Sequence, residues 1–230
     1  VAEAVNGGDH HAGDHHEEAH GPFDPDLMGE LERFALLPLV ELEHAEDALP
    51  IADAFLAAGL PVMEIALRTP AALQAIEKLA AYSELLLGAG TVCTVAQAQR
   101  AAEAGAAFLV LPGFDRELVE WCLEWDMPIL PGVATPSEAM AARSLGLDVV
   151  KLFPAEALGG IRYLKALAAP FPGLRFVPTG GIALQQLSEY LALPQVFAVG
   201  GSFLCPRELL RSRSWDALRR LVEDALRSRR

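Results

Sequence analysis

Lys151 lies inside the apolar run Asp148-Val149-Val150-Lys151-Leu152-Phe153 and is one of three lysines in a chain that has fifteen arginines. On an edge strand such a lysine would carry its head to water along an apolar stem. A closed sheet has no edge, and beside Leu152 and Phe153 the ammonium loses hydration, which favours the neutral amine, a nucleophile for a carbonyl carbon. The residue is therefore a candidate Schiff-base lysine. Glu64 is the matching anomaly, a carboxylate in the middle of Val62-Met63-Glu64-Ile65-Ala66-Leu67. Burying a carboxylate is costly unless it is paired or functional, and a raised pKa would suit it to proton transfer near neutrality. Arg68 follows four residues later. Alternate residues of a strand share a face, so Glu64, Ala66 and Arg68 point the same way, which accommodates either a plain ion pair or a shared site.

Two glycine pairs, in Pro178-Thr179-Gly180-Gly181-Ile182 and Val199-Gly200-Gly201-Ser202, end the last two apolar runs. A single pair would indicate a tight turn. Two pairs after adjacent strands point to a phosphate held by backbone N–H groups, with Thr179 and Ser202 as hydroxyl donors.

These residues need a scaffold that gathers strand ends. From residue 23 onward, apolar β-rich runs alternate with longer helical patterns of Ala, Leu, Glu and Gln. The runs cover residues 36–40, 62–67, 85–89, 108–112, 128–131, 149–153, 175–178 and 196–199. Helical stretches follow at 45–58, 70–82, 95–104, 115–125, 136–145, 160–168, 183–191 and 214–228, and one more, at 25–34, precedes them all. Strands that are apolar on both faces and separated by helices imply a parallel sheet. Eight such units predict an α/β fold, a closed (β/α)8 TIM-type barrel over residues 23–230 with an extra N-terminal helix and its site at the C-terminal mouth. An open doubly wound sheet is the alternative, but Gly88-Ala89-Gly90 lacks the third glycine of a dinucleotide fingerprint, since Cys93 stands there.

The chain has 230 residues, is 52% apolar and carries a formal charge of −13. That apolar fraction supports a sizeable core. An acidic body without a basic stripe argues against nucleic acid as a partner. No run of eighteen apolar residues is present and residues 1–30 contain no Lys or Arg, so neither a membrane span nor a secretory or transit peptide is expected, and the predicted location is cytoplasmic. Residues 1–22 are acidic and His-rich without apolar periodicity, which predicts a disordered tail. Its His10, His11, His15, His16 and His20 could hold a metal ion loosely or form a simple polar extension. No histidine follows His44. Cys93, Cys122 and Cys205 form no CxxC pair and read as reduced, ordinary packing residues rather than a zinc site.

The ordered motifs Glu64-Ile65-Ala66-Leu67-Arg68-Thr69, Gly88-Ala89-Gly90-Thr91-Val92, Pro112-Gly113, Pro131-Gly132, Lys151-Leu152-Phe153-Pro154-Ala155-Glu156, Pro178-Thr179-Gly180-Gly181-Ile182 and Gly200-Gly201-Ser202 form a specific set. From about residue 34 to 227 the chain resembles the 2-keto-3-deoxy-6-phosphogluconate (KDPG) aldolases, also called 4-hydroxy-2-oxoglutarate aldolases. The resemblance implies a class I lyase on a (β/α)8 barrel, a homotrimer, cleaving KDPG to pyruvate and glyceraldehyde 3-phosphate in the Entner–Doudoroff route. Its partner is a small keto-acid phosphate, and a covalent imine on Lys151 replaces any metal or other cofactor. By the same resemblance Glu64 is the acid/base acting through a water, and Arg68 and Thr91 hold the pyruvyl carboxylate. Pro112 and Phe153 line the reacting carbons, Thr179 influences facial selectivity at the aldehyde, and Gly180, Gly181, Gly200, Gly201 and Ser202 take the phosphate.

Three positions depart from the family pattern. Glu41 stands where some relatives have arginine, Leu111 where serine is frequent, and Leu152 where phenylalanine is common. Arg68 favours the gluconate over the related 2-keto-3-deoxy-6-phosphogalactonate branch. Competing readings are an aldolase acting mainly on 4-hydroxy-2-oxoglutarate or on the galactonate isomer, and a phosphate-binding barrel of the thiamine phosphate synthase type. The last would need an Asp/Glu cluster for metal and pyrophosphate, which the sequence does not offer.

Overall fold

A computed structural model describes residues 25–229, and the tail expected over residues 1–22 lies outside the described residues. In chain order the elements are α1 (Pro25–Phe34), β1 (Leu36–Val40), α2 (Ala48–Ala58), β2 (Val62–Ala66), α3 (Ala72–Leu79), β3 (Leu86–Gly90), α4 (Val95–Glu103), β4 (Phe108–Val110) and α5 (Arg116–Glu124). There follow β5 (Ile129–Leu130), β6 (Gly132–Val133), α6 (Pro136–Ser144), β7 (Val149–Leu152), α7 (Ala155–Leu158), α8 (Gly160–Ala168), β8 (Arg175–Pro178), α9 (Leu187–Leu191), β9 (Val199–Gly201), α10 (Arg207–Arg211) and α11 (Trp215–Ser228).

Every residue of β1, β2, β4 and β7 is buried. That is the consequence of parallel pairing, in which helical crossovers cover the sheet faces. The strands pair in parallel in two sheets, β5-β4-β3-β2-β1-β9 and β6-β7-β8. The parallel strands curl into a half-barrel, and isolated bridges Phe176↔Val196 and Thr179↔Gly200 connect β8 and the residue after it with β9 and the residues leading into it. The sequence points to a single ring of eight strands; the described residues form nine strands in two hydrogen-bonded sheets. The extra strand arises at Pro131, which ends the run over 128–131 after β5 and separates it from β6, a strand that the run did not include. Proline has no N–H for the ladder, whereas its carbonyl still accepts the Lys151 N–H at 2.9 Å.

Polar caps start the helices close behind the strand ends. Thr94, Asp115 and Thr135 each accept a backbone N–H three residues on, opening α4, α5 and α6. At α6 the Glu138 carboxylate also accepts the Thr135 N–H at 2.8 Å and Pro136 occupies the first turn, a reciprocal cap. The turns between β3, β4 and β6 and their helices are thereby held short. At the far end of the chain, α11 buries Leu218, Val222 and Ala225, one stripe at helical spacing that packs on α2. The helix expected over 45–58 opens with a 3-10 turn at Ala45–Asp47, and α7 and α10 are short helices that periodicity did not signal.

Candidate active site

β7 delivers Lys151 and β2 delivers Glu64 to the same interior point. The Nζ atom lies 3.8 Å from Glu64 Oε1, with the side chains 4% and 1% exposed. That is an ion-pair distance, longer than a hydrogen bond, and Glu64 Oε1 has no hydrogen-bond partner among the described residues. Burial raises the Glu64 carboxyl above its ordinary value, against the opposing pull of the Lys151 and Arg68 charges. Backbone room for this carboxylate comes from β3, because a Cβ at Gly90 would lie 1.9 Å from Oε1. The Lys151 ammonium also stands 5.3 Å from the centroid of the Phe153 ring.

Arg68 does not pair with Glu64. Its Nε donates to Thr91 Oγ1 at 3.0 Å and its guanidinium pairs with Glu41 Oε2 at 3.4 Å. Thr91 adopts φ 58°, a left-handed conformation rare for a β-branched residue and costing on the order of 1–3 kcal/mol. This strain sits where the hydroxyl orients the guanidinium. Glu41 also accepts a bond from Arg207 of α10 through its other oxygen, so one carboxylate joins two cations.

The glycine turns meet the requirement for backbone freedom. Gly180 and Gly181 have φ of 102° and 81°, a region that side chains with a Cβ avoid. At Gly200 the constraint is space, since a Cβ would lie 2.3 Å from Thr179 Oγ1. Glu156 ties the first turn to the lysine strand: its N–H donates to the Gly180 carbonyl at 3.0 Å. Its carboxylate accepts Gln186 Nε2 at 3.2 Å and the hydroxyl of buried Tyr190. Burial, together with that carboxylate, raises the Tyr190 phenol further, so it stays a donor.

These parts enclose a cavity of about 530 Å³. Lys151, Phe153 and Arg68 line it together with Thr179, Gly180, Gly181, Gly201 and Ser202. Glu64, Thr91 and Gly200 stand just behind that lining, each against a member of it. Pro112 is the outlier of the expected set: it is half-buried, and its backbone lies against Gly132, where a Cβ would come within 2.4 Å. Cys122 and Cys205 are buried and free, with burial pushing the Cys122 thiol up to about 12.

A family model described as KDPG and KHG aldolase matches residues 28–221. The chain belongs to the KDPG and KHG aldolase family. Its relatives in the family include the 2-dehydro-3-deoxy-phosphogluconate aldolase of Treponema pallidum, 45% identical over 197 residues that cover 85% of this chain and 94% of the relative. The KHG/KDPG aldolase of Escherichia coli K12 is 40% identical, covering 83% of this chain and 90% of the relative. Among solved structures, the KDPG aldolase of Legionella pneumophila superposes with a TM-score of 0.84 at 40% identity, covering 86% of this chain and 97% of that one. That structure holds pyruvate captured at low pH as a covalent carbinolamine intermediate.

For a member of this aldolase family, the sequence pointed correctly to a buried lysine and carboxylate but missed three polar residues around them. In the sequence Glu41 stands out only as a departure from the family pattern and Glu156 only as part of a motif, and Arg207 carries no local signal. Their partners are remote in sequence: Arg207 and Glu41 are 166 residues apart, and Glu156 and Tyr190 are 34. No local spacing announces such pairs.

Proposed function

We propose that this chain is a metal-independent class I aldolase that reversibly cleaves KDPG to pyruvate and D-glyceraldehyde 3-phosphate. The observation that carries the reading is the buried Lys151–Glu64 pair, whose lysine opens on a cavity walled by two glycine turns. Lys151 Nζ attacks the C2 ketone, and loss of water leaves a protonated imine. The cationic imine draws in the C3–C4 bonding pair while Glu64 takes the C4 hydroxyl proton. The aldehyde departs and an enamine remains. Protonation at C3 and hydrolysis release pyruvate and restore the amine. Burial of Glu64 suits it to this exchange, because a carboxyl with a raised pKa both accepts and returns a proton.

In the same reading Arg68, oriented by Thr91 and Glu41, takes the pyruvyl carboxylate. Pro112 and Phe153 flank the reacting carbons and Thr179 sets the face on which the aldehyde reacts. Backbone N–H groups of Gly180, Gly181, Gly200 and Gly201, with the Ser202 hydroxyl, take the phosphate. Residues 23–230 form the catalytic domain and residues 1–22 are dispensable for turnover. The two sheets close into one eight-stranded (β/α)8 barrel, with Pro131 a break within the fifth strand. The enzyme works in the cytoplasm as a homotrimer. Among the described residues, no helix is long and apolar enough to cross a membrane.

Pyruvate release from KDPG, from 4-hydroxy-2-oxoglutarate and from the galactonate isomer tests the reading. The expected result is fastest turnover of KDPG, unchanged by EDTA. Lys151→Ala should abolish it and Lys165→Ala, on α8, should not. Preference for the galactonate isomer, or inhibition by EDTA, would contradict it.

A further inference from the structure

The cavity holds a third side-chain cation that the reaction leaves unused. Among the described residues lining it, the cations are Arg68, Lys151 and Arg207. Lys151 becomes the imine, and Arg68, fixed to Thr91 at 3.0 Å, faces the keto-acid carboxylate. Arg207 is the first residue of α10, directly after Pro206 and close behind Gly201 and Ser202 of the second glycine turn. Its side chain is 63% exposed at the cavity mouth, and one of its terminal nitrogens bonds Glu41 Oε1. A guanidinium has five N–H donors, so a bond to one carboxylate oxygen leaves others for a second acceptor.

A phosphate dianion at the glycine turns would face a wall that also carries the carboxylates of Glu41 and Glu208. Backbone N–H groups offer only partial charge against these. The planar fork of arginine matches phosphate oxygens two at a time. Resting on the phosphorylated-substrate reading above, we propose that Arg207 is the side-chain cation for the substrate's phosphate, held at the cavity mouth by Glu41. Arg207 would then set the preference for phosphorylated over unphosphorylated aldehydes, without a part in the imine chemistry.

Condensation of pyruvate with D-glyceraldehyde 3-phosphate or with D-glyceraldehyde tests this, run on wild type, Arg207→Ala and Arg207→Lys, with borohydride trapping of the pyruvate imine alongside. Arg207→Ala should lower kcat/KM for the phosphorylated aldehyde by about tenfold, as loss of a charge-assisted phosphate contact implies. The unphosphorylated aldehyde and imine trapping should stay within about twofold, by the usual effect of a surface substitution. Arg207→Lys should fall between, keeping charge but losing the fork. If wild type prefers the phosphorylated aldehyde and Arg207→Ala keeps that preference, the Arg207 assignment is overturned and the phosphate reading stands. Equal losses on both aldehydes also overturn it, because they indicate a structural role. Indifference of wild type to the phosphate overturns both readings together.

Discussion

Glu64 is held in a state that favours proton exchange: fully buried, 3.8 Å from Lys151 Nζ, with an oxygen that no group among the described residues hydrogen-bonds. An acceptor left open in this way is costly as structure and useful as chemistry. Because burial raises its pKa above the ordinary 4.5, the acid limb of kcat/KM should fall at a pH above 4.5. Activity is lost below that limb, since the protonated carboxyl cannot accept the C4 hydroxyl proton. A pH–rate profile of Glu64→Gln should show no such limb and a rate lower by about 10²–10⁴-fold. A limb that persists in the variant would place the base elsewhere. Lys151 and Glu64 were legible in the sequence because a charged residue inside an apolar β-run has few structural explanations. Glu41 and Arg207 were not, because surface charges look alike until the fold pairs them.

At the scale of elements, the site depends on how closely β3 approaches β2. A Cβ at Gly90 would meet Glu64 Oε1 at 1.9 Å, so Gly90→Ala must displace the carboxylate. Misplacing a catalytic group by about 1 Å can cost about 10²-fold in rate, and a loss of that order in kcat is expected while the fold persists by circular dichroism. Gly29 in α1 makes the contrast, with nothing within 4 Å of an added Cβ. Gly29→Ala should leave kcat unchanged and raise unfolding stability by about 0.5–1 kcal/mol, read by urea denaturation. The strand positions followed from apolar runs between helical patterns, since burial on both faces leaves that trace, except that β6 lies beyond the fifth run and β9 begins at Val199, where the last run ends. The division at Pro131 was also available in the sequence, because proline cannot donate to a ladder. The 3-10 openings and the short helices α7 and α10 were not, as a few residues carry too little periodicity.

For the whole molecule, the alternation of strand and helix sufficed to infer parallel pairing, but the two-sheet hydrogen bonding was set by one imino acid and two isolated bridges. Self-association is invisible in such patterns. Trp125 and Met140 are exposed, at 67% and 62%, and single apolar residues of this kind do not by themselves mark an interface. For the proposed homotrimer, sedimentation equilibrium is expected to give three times the 24.6 kDa chain mass, and a monomer would rule it out. The proposed chemistry rests on one covalent bond, between Lys151 and pyruvate. Treating the intact protein with pyruvate and borohydride, then mapping peptides by mass spectrometry, reads that bond. One reduced pyruvyl adduct per chain is expected, on Lys151, with loss of activity and with Lys78 and Lys165 unmodified. An active enzyme whose Lys151 peptide stays unmodified, or an adduct on either other lysine, would contradict it.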